Sequence, residues 1–241
     1  MSIAYAHYLI PIVQDLDFVA STDDVERLIR ELENAGWLDP AQDSYQLRHY
    51  QGTGRAKESV SRDDLAPAIK RAIAAGQHVV ADLSVREPAE PAVDTFSSAP
   101  AGTALGPQQC WAAEIILCHR LCTLCQDSES SATLLCPSCR NDLLSAGDRS
   151  GAPWDDVAIE FEGQLDRCAN CGDVASPRAV LGQSRSASDG SLREESAPLF
   201  RFALRVWSDA PPDDPAVTDP AVLEALRAAT GKAFRAVGRW C

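Results

Sequence analysis

Residues 118–139 read CHRLCTLCQDSESSATLLCPSC, and residues 168–172 read CANCG. They contain three Cys-x-x-Cys pairs: Cys122/Cys125, Cys136/Cys139 and Cys168/Cys171. Two cysteines at this spacing present both thiolates to one tetrahedral ion from a tight turn, and two such turns close a four-sulfur zinc site. Six cysteines make one and a half such sites. A first site is expected at Cys122, Cys125, Cys136 and Cys139, with Cys122/Cys125 grouped with Cys168/Cys171 as the alternative. For a second ion, Cys168/Cys171 needs partners, and Cys110, Cys118 and His119 are the candidates. The expected cofactor is therefore one or two structural Zn2+ ions. Ser131–Leu135 fits a strand leading into the second turn, and Asn141–Leu144 the start of a helix after it, the order of a treble-clef finger. Gly172 suits a turn in which backbone N–H groups point at sulfur. Val157–Phe161 fits a strand approaching the third pair.

The run LCTLCQDSESSATLLCPSCRNDLL, with RCANCG further on, resembles the amino-terminal zinc module of ComF-type competence proteins over residues 118–173. The resemblance implies zinc binding and transfers no activity. Here 28 residues separate the second and third pairs, and no phosphoribosyltransferase-like domain with an acidic Asp-Asp motif follows.

Outward from the cysteines, both flanks alternate strand and helix. Ala4–Val13 reads as a strand; Ser21 and Asp24 form a capping-box start for a helix carrying Val25, Leu28, Ile29 and Leu32, which Gly36 stops. Tyr45–Tyr50 is a weaker strand. Asp63 or Asp64 caps a second helix with Pro67 in its first turn, Ile69 and Ile73 on one face and Gly76 at its end. His78–Val85 is the strongest strand of this half. After the cysteines, Leu199–Trp207 alternates as a strand, Val222, Leu223 and Leu226 mark a helix ending near Gly231, and 233–240 reads as a closing strand. The expected fold class is α+β. Residues 1–87 and 199–241 form one sheet-and-helix domain, 88–107 and 183–198 are linkers, and 108–182 is the inserted cysteine-rich module.

The chain has 241 residues and a formal net charge of −13. Residues 108–178 contribute 5 basic and 11 acidic side chains, a net −6, before a four-thiolate zinc centre adds −2. Phosphate-backbone binding needs clustered Lys and Arg, so this charge argues against nucleic acid and suits a basic protein partner. Lys232, Arg235 and Arg239 form the one basic cluster. Residues 1–13 lack a basic leader, and no apolar run reaches the roughly 20 residues that span a bilayer. A cytoplasmic location with metal-bound rather than disulfide-bonded cysteines is expected. The excess of Arg, 19 against 3 Lys, fits a GC-rich bacterial genome.

Two catalytic alternatives compete. Cys118, Cys122 and Cys125 have the three-cysteine spacing that holds an iron–sulfur cluster in radical S-adenosylmethionine enzymes, though the long β/α barrel such enzymes need is missing. Cys136-Pro-Ser-Cys139 between a strand and a helix resembles a glutaredoxin-type redox pair. Gly52-Thr53-Gly54-Arg55 reads as a turn between strand and helix rather than a phosphate loop. His7, His49 and His78 read as structural strand histidines. The expectation is a non-catalytic zinc protein with a protein-binding surface; a transcription or nucleic-acid accessory factor and a redox or iron–sulfur enzyme are the rivals.

Overall fold

The computed structural model describes residues 5–51, 54–83, 110–124, 133–143, 158–163, 165–185, 192–208 and 220–240. The fold is α+β. Its main body is an antiparallel sheet in the order β11-β1-β10-β5-β4-β2-β3, with β7 pairing to the end of β5. These strands are β1 (Tyr5–Pro11), β2 (Ser44–Gln51), β3 (Gly54–Ser61), β4 (His78–Leu83), β5 (Cys110–Leu124), β7 (Ala158–Glu160), β10 (Leu199–Ser208) and β11 (Phe234–Trp240). A second, three-stranded sheet has β8 (Leu181–Arg185) between β6 (Thr133–Leu135) and β9 (Leu192–Ser196).

Three helices, α1 (Thr22–Asn34), α2 (Arg62–Ala74) and α3 (Pro220–Thr230), share one core with the main sheet. Val25, Leu28, Ile29 and Leu32 of α1, at helical spacing, meet alternate residues such as Leu9, Leu47, Ala81, Ile115 and Leu204 of the strands. The caps follow the sequence. Ser21 accepts from the Asp24 N–H and Asp24 accepts from the Ser21 N–H, a complete capping box on α1. On α2 the cap is Ser61 rather than Asp63 or Asp64: its hydroxyl accepts from the Asp64 N–H and donates to the Asp64 carboxylate. The helix thus begins at Arg62, which moves Pro67 into its second turn.

Several elements differ from the sequence reading. Gly54 opens β3, so residues 51–54 connect two paired strands, not a strand and a helix. β3 carries no sequence signal because its side chains are almost all exposed, leaving no alternating apolar face. Residues 183–198, read as a linker, carry parts of two strands, β8 and β9, which pair with each other. Their Ser, Gln and Glu side chains look like linker composition, and only backbone pairing reveals the strands. β5, expected within the cysteine-rich module, runs between β4 and β10 in the main sheet. Residues 88–107, the other expected linker, lie outside the described residues. β1, β10 and β11 match the expected strands, and β11 lies beside β1, so the two flanks share one sheet.

On the sheet face away from the helices, one cross-strand row holds charge. Asp82, Glu114, Arg205 and Tyr8 lie opposite one another on β4, β5, β10 and β1. Glu114 is buried and receives hydrogen bonds from Arg48, Arg205 and the Trp207 indole. Arg48 also reaches Asp82 at 2.8 Å, and Arg205 donates to the Tyr8 hydroxyl at 3.1 Å. Burial raises the Glu114 pKa, but the two guanidiniums outweigh it and hold the carboxylate below its usual range. Removing one member of such a set leaves buried charge without a partner, at a typical cost of about 3–5 kcal/mol. Glu114→Gln should lower the urea midpoint accordingly, and adding Arg205→Met should recover part of the loss in a double-mutant cycle.

His7 is buried and its Nε2 has no hydrogen-bond partner among the described residues. Burial lowers its pKa from 6.5 to about 4. Between those values the unfolded chain takes up a proton that the native state refuses, so stability falls as pH drops through the window. The loss is on the order of 3 kcal/mol by pH 4, converting the shift at 1.36 kcal/mol per unit. Chemical denaturation between pH 7 and 4 should show this acid limb, and His7→Gln should flatten it.

Candidate metal centre

Cys136, Cys139, Cys168 and Cys171 converge. Their four sulfur atoms lie within 4.8 Å of one another and could hold a metal ion. Cys136 Sγ is 3.7 Å from Cys171 Sγ, and Cys139 Sγ is 3.6 Å from Cys168 Sγ. Metal–sulfur bonds of about 2.3 Å in a tetrahedron place sulfur atoms roughly 3.8 Å apart. The observed separations match that edge and are far longer than a disulfide bond.

The two cysteine turns have the same backbone. The Cys136 N–H donates to the Asn141 carbonyl and the Cys168 N–H to the Asp173 carbonyl, both at 2.9 Å. The Arg140 N–H returns to the Cys136 carbonyl and the Gly172 N–H to the Cys168 carbonyl. Single bridges, Leu135 to Asp142 and Arg167 to Val174, close each turn. The residue after the second cysteine is left-handed in both, with φ of 63° at Arg140 and 77° at Gly172. Gly172 adopts this freely; Arg140 does so against its side chain, while its guanidinium pairs with Glu194 on β9. No helix starts at 140–143: Asp142 bridges back to Leu135 instead. The helix start expected at Asn141–Leu144 is therefore not seen through Leu143, and among the described residues no helix N-terminus follows the Cys136/Cys139 pair to activate it as a redox dithiol.

The cluster is half embedded. Cys136 and Cys168 are buried among Leu134, Leu143, Phe161, Ala175 and Val180, while Cys171 is exposed. The thiols influence one another strongly. A backbone hydrogen bond from Asn141 and the Asn170 side chain bring Cys139 down to about 6. At Cys171 a backbone hydrogen bond from Asp173 lowers the pKa, but neighbouring Cys139, Cys168 and Cys136 push it up to about 12. A thiolate forms readily at Cys139, and at Cys171 it is disfavoured by the neighbouring sulfurs. A divalent cation among them favours the thiolate form.

The grouping differs from the one expected. Cys136/Cys139 joins Cys168/Cys171, and Cys122 lies in a different group. The reason is β5: it carries Cys122 into the main sheet, fully buried against β7 and β10. Cys122 meets Cys118 and His78 there, a second trio whose ligand atoms lie within 4.8 Å of one another and could also hold a metal ion. Cys125 and Cys241 lie outside the described residues. Cys110 is buried in the helix-side core, and His119 is exposed with its ring near Gly76; among the described residues neither belongs to a group of three or more possible ligands. His78, read as a structural histidine, is the residue sequence reasoning missed. It lies 44 residues before Cys122, and no local spacing marks it.

A scan of protein-family models found no match, and searches of curated proteins and of solved structures found none either. The expected likeness to the ComF-type module gains no support from these comparisons; what is shown is a group of four cysteines that could hold a metal ion. Among the described residues, no helix is long and apolar enough to cross a membrane.

Cys136→Ser or Cys168→Ser should weaken metal binding at this cluster more than the roughly 10–100-fold typical of lost outer-sphere contacts. A competition titration against a chromophoric chelator measures it. Hydrogen exchange should rise at 133–143 and 165–185 while β1, β4, β5 and β10 stay protected.

Proposed function

We propose that this chain is a structural-zinc protein whose cysteine-rich part presents a rigid, non-catalytic surface to a protein partner. The carrying observation is the four-sulfur cluster formed by two equivalent turns. Four thiolates supplied by such turns leave no coordination position for substrate, the closed format of structural zinc. Such a site supplies folding free energy directly and can stiffen a loop-rich platform with a small core. The small sheet is of that kind: three short strands with cysteine turns beside them.

The surface at the ion favours recognition. Val174, next to the second turn, is 61 % exposed, and Cys171 is also exposed. Asp166 and Asp173 flank them and add the negative charge that suits a basic partner. The basic residues expected as a cluster near the C-terminus support the same reading: Lys232 pairs with Asp15 at 2.9 Å, and Arg235 with Glu195 at 3.0 Å. Intramolecular pairing of that kind disfavours a phosphate-binding patch. A cytoplasmic setting, where thiols stay reduced, accords with this chemistry.

Elemental analysis and affinity capture test the reading together. The purified chain should contain zinc bound by sulfur, and partner capture should fall at least about tenfold with Val174→Asp or after zinc removal. Iron in place of zinc, or capture unchanged by both treatments, would overturn it.

A further inference from the structure

His78, Cys118 and Cys122 lie on the main sheet, away from the four-cysteine cluster, and no two of them form a Cys-x-x-Cys pair. His78 begins β4, and Val79 pairs with Leu117, which sets His78 beside Cys118 on the neighbouring strand. Cys118 and Cys122 are both on β5. In a regular strand, residues four apart stand about 13 Å apart, too far to share an ion. β5 is not regular there. Leu117 pairs with Phe202 and Cys122 with Phe200, so five steps along β5 match two along β10. This bulge folds the strand and brings both sulfurs and the imidazole within 4.8 Å of one another.

The histidine is oriented for a ligand's work. Its Nε2 lies 2.9 Å from Glu160 Oε1 on β7, and Glu160 is held in turn by Arg120 at 3.2 Å. A proton on Nε2 facing that carboxylate makes Nδ1 the nitrogen that carries the coordinating lone pair. Nδ1 is the atom 4.0 Å from Cys122 Sγ. A tetrahedral ion with bonds of about 2.3 Å to sulfur and 2.0–2.1 Å to nitrogen spaces those atoms at roughly 3.6 Å, so the His78–Cys122 pair lies within a few tenths of an ångström of that spacing. The carboxylate–histidine–metal arrangement is the usual way proteins fix the tautomer of a metal-binding imidazole. All three side chains are at most 3 % exposed.

We infer that His78 Nδ1, Cys118 Sγ and Cys122 Sγ form a second metal site for a borderline-soft divalent ion of the zinc class, with Glu160 as its positioning residue. Two thiolates and an imidazole select such an ion over Mg2+ or Ca2+. Each thiol releases its proton to solvent when the ion binds. The site clamps the junction between the two sheets. Next to Cys122, the Leu121 carbonyl accepts from the Phe161 N–H at 2.8 Å, and Leu121 and Phe161 both enter the core beneath the four-cysteine cluster. The second ion would hold the bulge that carries this contact.

X-ray absorption on the purified, zinc-loaded full chain tests the inference without a variant. Two ions per chain should give an average of about three sulfurs plus nitrogen from imidazole, whereas the four-cysteine cluster alone gives four sulfurs and no nitrogen. The variants separate the sites. Cys118→Ser/Cys122→Ser should retain one ion with four sulfurs, and Cys136→Ser/Cys168→Ser should retain one with two sulfurs and nitrogen. Glu160→Gln should weaken only the second ion, by about 10–100-fold in competition with a chelator. One ion with sulfur alone in the unsubstituted chain, or a Cys118–Cys122 disulfide in reduced, metal-loaded protein, overturns the second site and leaves the four-cysteine reading standing. Loss of the four-sulfur signal while the mixed signal persists does the reverse.

Discussion

The backbone pairing of β5, with β4 on one side and β10 on the other, makes a single sheet from the two ends of the chain. Everything else hangs on that register. It aligns Asp82, Glu114, Arg205 and Tyr8 in one row, where Arg48 and Arg205 satisfy a buried carboxylate that would otherwise be costly to bury. It lets the three helices cover the opposite face with one continuous apolar core. It also fixes where β5 can depart from regularity, because pairing resumes at Cys122 and Thr123 against Phe200 and Leu199.

The seven described cysteines sit in three environments. Cys110 is an ordinary core residue on the helix side. Cys136, Cys139, Cys168 and Cys171 gather at the margin of the small sheet, where two of the four are buried and Cys171 is exposed to solvent. Cys118 and Cys122 lie against the main sheet with His78, in a setting dry enough to push the Cys122 thiol well above its ordinary value. Burial also works against a charged His78, but Cys122 and Glu160 outweigh it and raise the pKa overall. The first cluster is built by turns of local sequence, the second by strand register and a bulge. That difference explains why one was visible as a motif and the other was not.

Much of the scaffold was legible. The capping box at Ser21 and the apolar spacing of α1 rest on contacts within a few residues, and the apolar run of β1 and the alternation of β10 mark strands by composition before any partner is known. β3, β8 and β9 were not legible, since their side chains lack an apolar alternation. Cross-strand hydrogen bonding stabilises them, and that depends on a partner strand. Residues 140–143 misled in another way: Asn141 and Asp142 look like a helix start, but the backbone there closes a turn around Cys136.

By itself, the sequence determined that pairs of thiols would be presented by tight turns and that an α+β body would flank them, because both follow from short-range geometry and periodicity. Which pairs met was a tertiary decision. Two Cys-x-x-Cys turns are chemically interchangeable as ligands, so spacing cannot rank their combinations. Cys122 was withdrawn from the expected group by the strand it belongs to, and His78 and Glu160 were brought to it from the neighbouring strands β4 and β7. Long-range strand pairing chooses among locally equivalent ligands, and only the folded sheet contains that choice.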